Sequence, residues 1–361
     1  MESRLHLSTW FTTGDFQKFN KMSGGIPTRR LWEVDVIRPL SIFLVLVLHS
    51  FTIYWGKWTP PVGFAPCVTY KWIAAFSFSF TMELFVLLSG YIFGYQIFVQ
   101  KKDFNLKSLV KNKVNRLIYP ALFFGVIYAL IFYWQRAPFN AIYSVLQGAG
   151  HLWFLVMLFW CFILGFLLLK AEMPEKNKFR ILLVAILIST VSLPLRLDKA
   201  LYYLFFFYLG ITMVKNQEIC RKMYGNNKFL VSAALIYLVF FISYELVVPY
   251  LNSSISSDIV HTLMNPVQKY WIFAYALPGT LFFFLLTCRL MEGKITLPKF
   301  VTFASSISFG VYLVHQIIIE VLYYKTQLPS LVGPYWLPWI TLLITLFGSV
   351  AIILLIRKFR K

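Results

Sequence analysis

About ten apolar runs of roughly 15–24 residues follow one another along the chain, near 36–55, 76–99, 117–134, 152–169, 181–195, 200–214, 229–248, 270–288, 301–322 and 337–356. At 1.5 Å per residue, about 20 residues cross the hydrocarbon core of a bilayer. Backbone N–H and C=O groups find no water there, so each run must close its own hydrogen bonds as a helix. The runs are apolar on all faces, without the alternation that an outer-membrane barrel requires. Composition agrees: 59% of the 361 residues are hydrophobic, against about half in a soluble domain. Mean hydropathy is +0.70. The expected fold class is an all-α polytopic membrane protein, a bundle of about ten transmembrane helices. The fifth and sixth runs are the shortest.

The net charge of +20 raises the question of a nucleic-acid partner. Its distribution answers it. With the N-terminus inside, 27 of the 34 Lys and Arg fall in inner segments and 7 in outer loops. That asymmetry orients the helices and predicts both termini in the cytoplasm. The basic residues meet anionic lipid, and no nucleic acid is needed. The expected location is the cell (inner) membrane, crossed many times. No cleavable signal peptide is evident, because the first 30 residues are polar and the first apolar run starts late. Residues 1–30 read as a cytoplasmic N-terminal tail, broken by Gly24-Gly25 and Pro27. Residues 31–361 read as one integral domain. The inner loop 101–120 alternates Lys107, Lys111 and Lys113 with Leu106, Leu109 and Val110, the pattern of an interfacial amphipathic helix.

The polar residues inside apolar runs carry the chemistry. Arg38 and His49 stand eleven residues apart in VIRPLSIFLVLVLHSF. On a helix they share a face and lie about 16 Å apart along the axis. A charge at mid-membrane costs roughly 2.5–3.5 kcal/mol, so such residues point to use. Arg38 can hold a carboxylate or phosphate, and His49 titrates near neutrality and can act as a general base. Asp35, one turn from Arg38, can steady the arginine but not reach the histidine. The competing reading has Arg38 reaching to the interface and His49 bonded within the bundle.

Four further groups stand out. Glu83 in the second run can orient a histidine or an acceptor hydroxyl, or simply bond between helices. Ser89-Gly90 after it reads as close packing. Lys113 and Arg116, one turn apart, can clamp an anion, or serve as ordinary inner-side anchors. His151 and Trp153 open the fourth run, where Trp153 is either interface aromatic or a platform for a sugar face. Tyr312 and His315 are i, i+3 neighbours in the ninth run, with His315 either a proton partner or a bonded bundle histidine. His6 and His261 are unremarkable. Trp55, Trp58 and Trp72 suit the interface belt. Cys67, Cys161, Cys220 and Cys288 show no ligand spacing, so no metal site is expected. No phosphate-binding loop, dinucleotide fingerprint, HExxH or GxSxG is present.

Taken together these pieces resemble the membrane acyltransferase-3 family. The matching residues are Asp35-x-x-Arg38, Arg38-x10-His49, Glu83-Leu-Phe-x-x-x-Ser89-Gly90, Arg116-Leu-Ile-x-Pro120, Leu152-Trp153-Phe154-Leu155, Phe206-x-x-Leu209-Gly210 and Tyr312-Leu-x-His315, in the family's order. The resemblance implies about ten helices, a cytoplasmic acyl-CoA donor (acetyl-CoA foremost) as co-substrate with no bound cofactor, and an acceptor reached from the opposite side. It implies O-acetylation of a cell-surface or lipid-linked saccharide. His49 and Glu83 would be catalytic, and Arg38, Lys113 and Arg116 would bind the donor. Asp35, Ser89, Trp153, Tyr312 and His315 would support them. Lys113 stands where the family often has arginine. An outer hydrolase-like domain carried by some members is not expected after the tenth run. The alternative is a transporter or flippase of a polar lipid or glycan, with the same ionisable groups lining a pathway. A scaffold without chemistry fits the stripe poorly.

Overall fold

The computed structural model describes residues 30–61, 63–133, 138–254, 258–294 and 296–359; at 252–254, 258–259 and 261–263 it describes the backbone alone. Apart from Arg30, the expected tail at 1–30 lies outside the described residues, as do His6 and the side chain of His261. In chain order the helices are α1 (Trp32–Phe51), α2 (Val68–Phe78), α3 (Thr81–Phe98), α4 (Leu106–Lys113), α5 (Tyr119–Phe132), α6 (Pro138–Leu146), α7 (Trp153–Lys170), α8 (Glu175–Ile188), α9 (Leu197–Lys215), α10 (Gln217–Gly225), α11 (Asn227–Ser254), α12 (Asp258–Met291), α13 (Lys299–Tyr324), α14 (Leu328–Val332) and α15 (Leu337–Lys358). A π turn, Val114–Ile118, joins α4 to α5. No strand occurs among the described residues, as the apolar runs require.

Nine helical segments of the described chain are long and apolar enough to cross a membrane, one fewer than the runs suggest. The missing one is the fifth, 181–195. It forms α8, which has 14 residues and reaches only about 21 Å. The chain then breaks at Pro194, and Leu195 and Arg196 take left-handed backbone at φ +53° and +60°. Such residues cost about 1–2 kcal/mol each. Two hydrogen bonds hold the break: Trp160 Nε1 donates to the Leu195 carbonyl at 3.0 Å, and Arg196 Nε to that of Gln147 at 3.1 Å. Short as it is, α8 carries the chain back so that α9 starts beside α7. Glu175 ties the far end, accepting from Lys215 Nζ and Tyr208 Oη at 2.9 Å each. Burial alone would raise the Glu175 carboxyl, but these two donors and the Lys178 charge outweigh it and hold it below the usual range.

The chain divides into two compact units. Unit 1 comprises residues 1–78 with 293–361, and unit 2 residues 79–292. In unit 1, α1 packs against α13, α2 and α15. In unit 2, α9 is central, packed on α3, α7 and α8, and α11 pairs with α12. The α3–α9 crossing is close because glycines line it from both sides. A methyl group built on Gly90 would overlap the Phe207 carbonyl, and one on Gly210 the Leu87 carbonyl. Beside Gly90, the Ser89 hydroxyl donates to the Phe85 carbonyl of its own helix at 2.9 Å. The amphipathic pattern at 106–113 is realised as α4, capped by Asn105, which accepts from the Ser108 amide at 2.7 Å. Leu109 is fully buried and Lys107 and Lys111 are exposed.

Replacing Gly90 with alanine should force α3 off the α9 backbone. The expected loss is about 1–3 kcal/mol, the usual cost of overpacking, read as a lower thermal midpoint in detergent. Gly225→Ala, whose added methyl meets nothing within 4 Å, should leave the midpoint unchanged or higher.

Candidate functional site

In unit 1, α1 runs unbroken from Trp32 to Phe51 through Pro39, so Arg38 and His49 do share one face at the expected axial rise. Asp35 anchors the start of this helix. Its carboxylate accepts from Arg30 Nε at 2.8 Å and from Ser305 Oγ of α13, also at 2.8 Å. These partners differ from the Arg38 contact that the spacing suggests.

His49 is part-exposed. Its Nδ1 is buried with no hydrogen-bond partner among the described residues, which leaves Nε2 as the nitrogen that can meet a substrate. Two rings flank the imidazole. His315 of α13 lies 5.2 Å away between centroids, and Trp58 stacks at 5.4 Å with 25° between planes. His315 is fully buried, and its Nδ1 meets the Tyr312 carbonyl at 2.7 Å. A carbonyl only accepts, so that nitrogen carries the proton and Nε2 is the basic one. Tyr312 is itself buried, with its ring 5.8 Å from His315. The i, i+3 pair of the ninth run therefore belongs with His49.

Unit 2 holds the remaining candidates at two ends of parallel helices. Glu83, in the first turn of α3, is 4% exposed. Tyr202 Oη of α9 donates to its Oε1 at 3.2 Å. The Lys269 ammonium of α12 lies 5.1 Å from the Tyr202 ring centroid. Trp153, at the start of α7, packs near Tyr203 with centroids 6.2 Å apart. His151 is buried just before it. Toward the C-terminal ends of α3 and α7, the Lys113 ammonium sits 3.3 Å from the centroid of Phe162 and 5.9 Å from that of Phe93. Arg116 rides on the π turn and is exposed. π turns of this kind recur at functional sites. Lys102 lies close enough to feel Arg116: burial first, and that charge second, lower its ammonium pKa below the usual value.

Four of these residues did not stand out in the sequence as site residues. Trp58 reads as one more interface tryptophan. Tyr202 is hidden in a run of aromatics. Lys269 stands at the very edge of the eighth apolar run, where a cation reads as an interface anchor. Lys102 is one basic residue among many in its loop.

A family model for an acyltransferase domain, the acyltransferase-3 model, matches residues 31–358. The chain belongs to the acyltransferase-3 family. The match covers α1 to α15, so both units and every candidate residue fall within this acyltransferase-3 domain. Comparison with curated proteins and with solved structures gave no match. Membership and the nine apolar helices are consistent with a multi-pass membrane acyltransferase.

The Glu83–Tyr202 bond can be measured. A double-mutant cycle of Glu83→Gln and Tyr202→Phe, followed by thermal unfolding, should give a coupling energy of about 1–2 kcal/mol. Simple additivity would show that the two side chains do not support each other.

Proposed function

We propose that this acyltransferase-3 member is an O-acyltransferase of the cell (inner) membrane, moving an acyl group, acetyl foremost, from cytoplasmic acyl-CoA to a hydroxyl of a cell-surface or lipid-linked saccharide. The observation that carries the reading is the part-exposed His49, its Nδ1 buried and without a hydrogen-bond partner among the described residues, on one helix face with Arg38 and flanked by His315. Both termini are cytoplasmic in this reading, which puts Arg38 near the donor's side and His49 deeper.

His49 Nε2 takes the proton of the acceptor hydroxyl. The freed oxygen attacks the thioester carbonyl carbon, the C–O ester bond forms and the C–S bond breaks. The imidazolium then returns the proton to the leaving thiolate as CoA–SH. No net proton is gained or lost. His315, with its tautomer fixed by the Tyr312 carbonyl, steadies the charge passing through His49, and Asp35 fixes the helix that carries it. Arg116 offers a cation to the donor's phosphates. Lys113 rests on Phe162, so its part is to hold the π turn that carries Arg116. Glu83, held by Tyr202, and Trp153 serve the acceptor, the first through hydrogen bonds to hydroxyls and the second by stacking on a sugar face. Ser89 acts through helix packing.

Mass spectrometry of surface glycans from cells with and without the protein tests the reading. A gain of one acetyl unit per modified sugar is expected, lost in His49→Ala protein that keeps its thermal midpoint. Wild-type acylation by His49→Ala overturns the base. Arg116→Ala should raise the donor KM roughly tenfold, as for loss of one charge-assisted hydrogen bond, with little change in acceptor dependence. An unchanged donor KM removes Arg116 from the donor site. Movement of the saccharide across the membrane without acyl-CoA consumption would instead favour a flippase.

A further inference from the structure

We propose that Trp58 is the specificity-determining wall of the acyl site, its indole closing one flank of His49 so that only a short acyl group fits and water is kept away. This rests on the reading of His49 as the group beside which the thioester reacts.

The wall is built by the loop between α1 and α2. A single 3-10 turn, Thr52–Trp55, ends α1, and Gly56 then takes left-handed backbone at φ +74°. That reversal brings residue 58 back over the helix it has just left. The indole lands on the imidazole nearly parallel, as aromatic pairs in a stack do. Trp58 does not rest on His49 alone. It packs against the buried cluster of Ile53, Tyr54, Ile319, Tyr323 and Leu337, and its ring lies 6.4 Å from that of Tyr324. Tyr324 Oη donates to the carbonyl of Thr59, the next residue, at 2.9 Å. Tyr54 Oη donates to the Pro334 carbonyl and Tyr70 Oη to that of Tyr335 at 3.0 Å, closing the same loop region against the turn before α15. The indole is thus held on two sides, by α13 and by the apolar cluster.

A rigid bicyclic ring beside a reacting nitrogen has two consequences. It occupies the volume into which a longer acyl chain would extend. It also removes water that would otherwise be deprotonated in place of the sugar hydroxyl. An interface tryptophan would do neither, since its ring would not stack on the His49 imidazole.

Two measurements on the full-length protein test this. The first is modification of His49 by diethyl pyrocarbonate, followed by peptide mass spectrometry, with the other histidines as internal references. In Trp58→Ala, His49 should react several-fold faster, with Trp58→Phe close to wild type. The second uses membranes containing the protein and its native acceptor, supplied with radiolabelled acetyl-, butyryl- or hexanoyl-CoA. The hexanoyl-to-acetyl incorporation ratio should rise roughly tenfold or more in Trp58→Ala, the factor one methylene is worth in an apolar pocket. Trp58→Leu, which keeps apolar bulk against the cluster, should fall between and guards against loss of folding. An unchanged His49 reactivity together with an unchanged chain-length ratio overturns the wall. Absence of incorporation from every donor in the wild type overturns the acyl-transfer reading instead, while the His49 reactivities still judge the wall itself.

Discussion

A polar side chain inside an apolar helix has no water to turn to, and this constraint orders the whole molecule. Most buried polar groups are answered by another side chain or a backbone atom of the protein. Asp35 is answered by Arg30 and Ser305, Glu83 by Tyr202, and His315 by the Tyr312 carbonyl. Lys113 finds a ring face rather than a carboxylate. His49 differs in being ionisable and part-exposed with its buried Nδ1 unanswered among the described residues.

The same constraint explains the glycines. In lipid the attraction between helices comes from contact rather than from expelled water, so backbones must come close. The α3–α9 crossing reaches that limit at Gly90 and Gly210. It fixes the helices that carry Glu83 and Tyr202, two residues 119 positions apart in sequence. A hydrogen bond of 3.2 Å between them therefore depends on two positions that have no side chain at all. The motif glycines Gly90 and Gly210 belong to this frame.

Local features were legible in the sequence and long-range ones were not. Helix content follows from apolar runs too long and too uniform for strands. The Arg38–His49 stripe follows from helical periodicity alone, and α1 keeps it because Pro39 does not interrupt the helix. The fifth run misled because apolarity does not reveal where backbone turns left-handed, as at Leu195 and Arg196. The bonds of Asp35 to Arg30 and, across to α13, to Ser305 lie beyond what helical spacing can show. Trp58 and Tyr202 were hidden by abundance. With 37 Phe, 21 Tyr and 11 Trp, no aromatic is conspicuous by type, and only tertiary packing shows which of them touches an ionisable group.

The pairing of His49 with His315 sets limits on what the histidine can do. With His315 Nδ1 committed to a backbone carbonyl, its only basic atom is Nε2. Two imidazoles with centroids 5.2 Å apart in an apolar setting resist carrying two positive charges, because each charge raises the cost of the other. One proton at most is therefore held by the pair beyond its neutral complement. Acyl transfer from a thioester to an alcohol needs no more than that, since the proton taken from the hydroxyl leaves with the thiol. A transporter that moved protons across the bilayer would need a chain of exchanging groups leading to and from this pair. His315 is closed on its Nδ1 side, and His49 Nδ1 is buried without a partner among the described residues. In the proposed reading the proton is borrowed and returned in place.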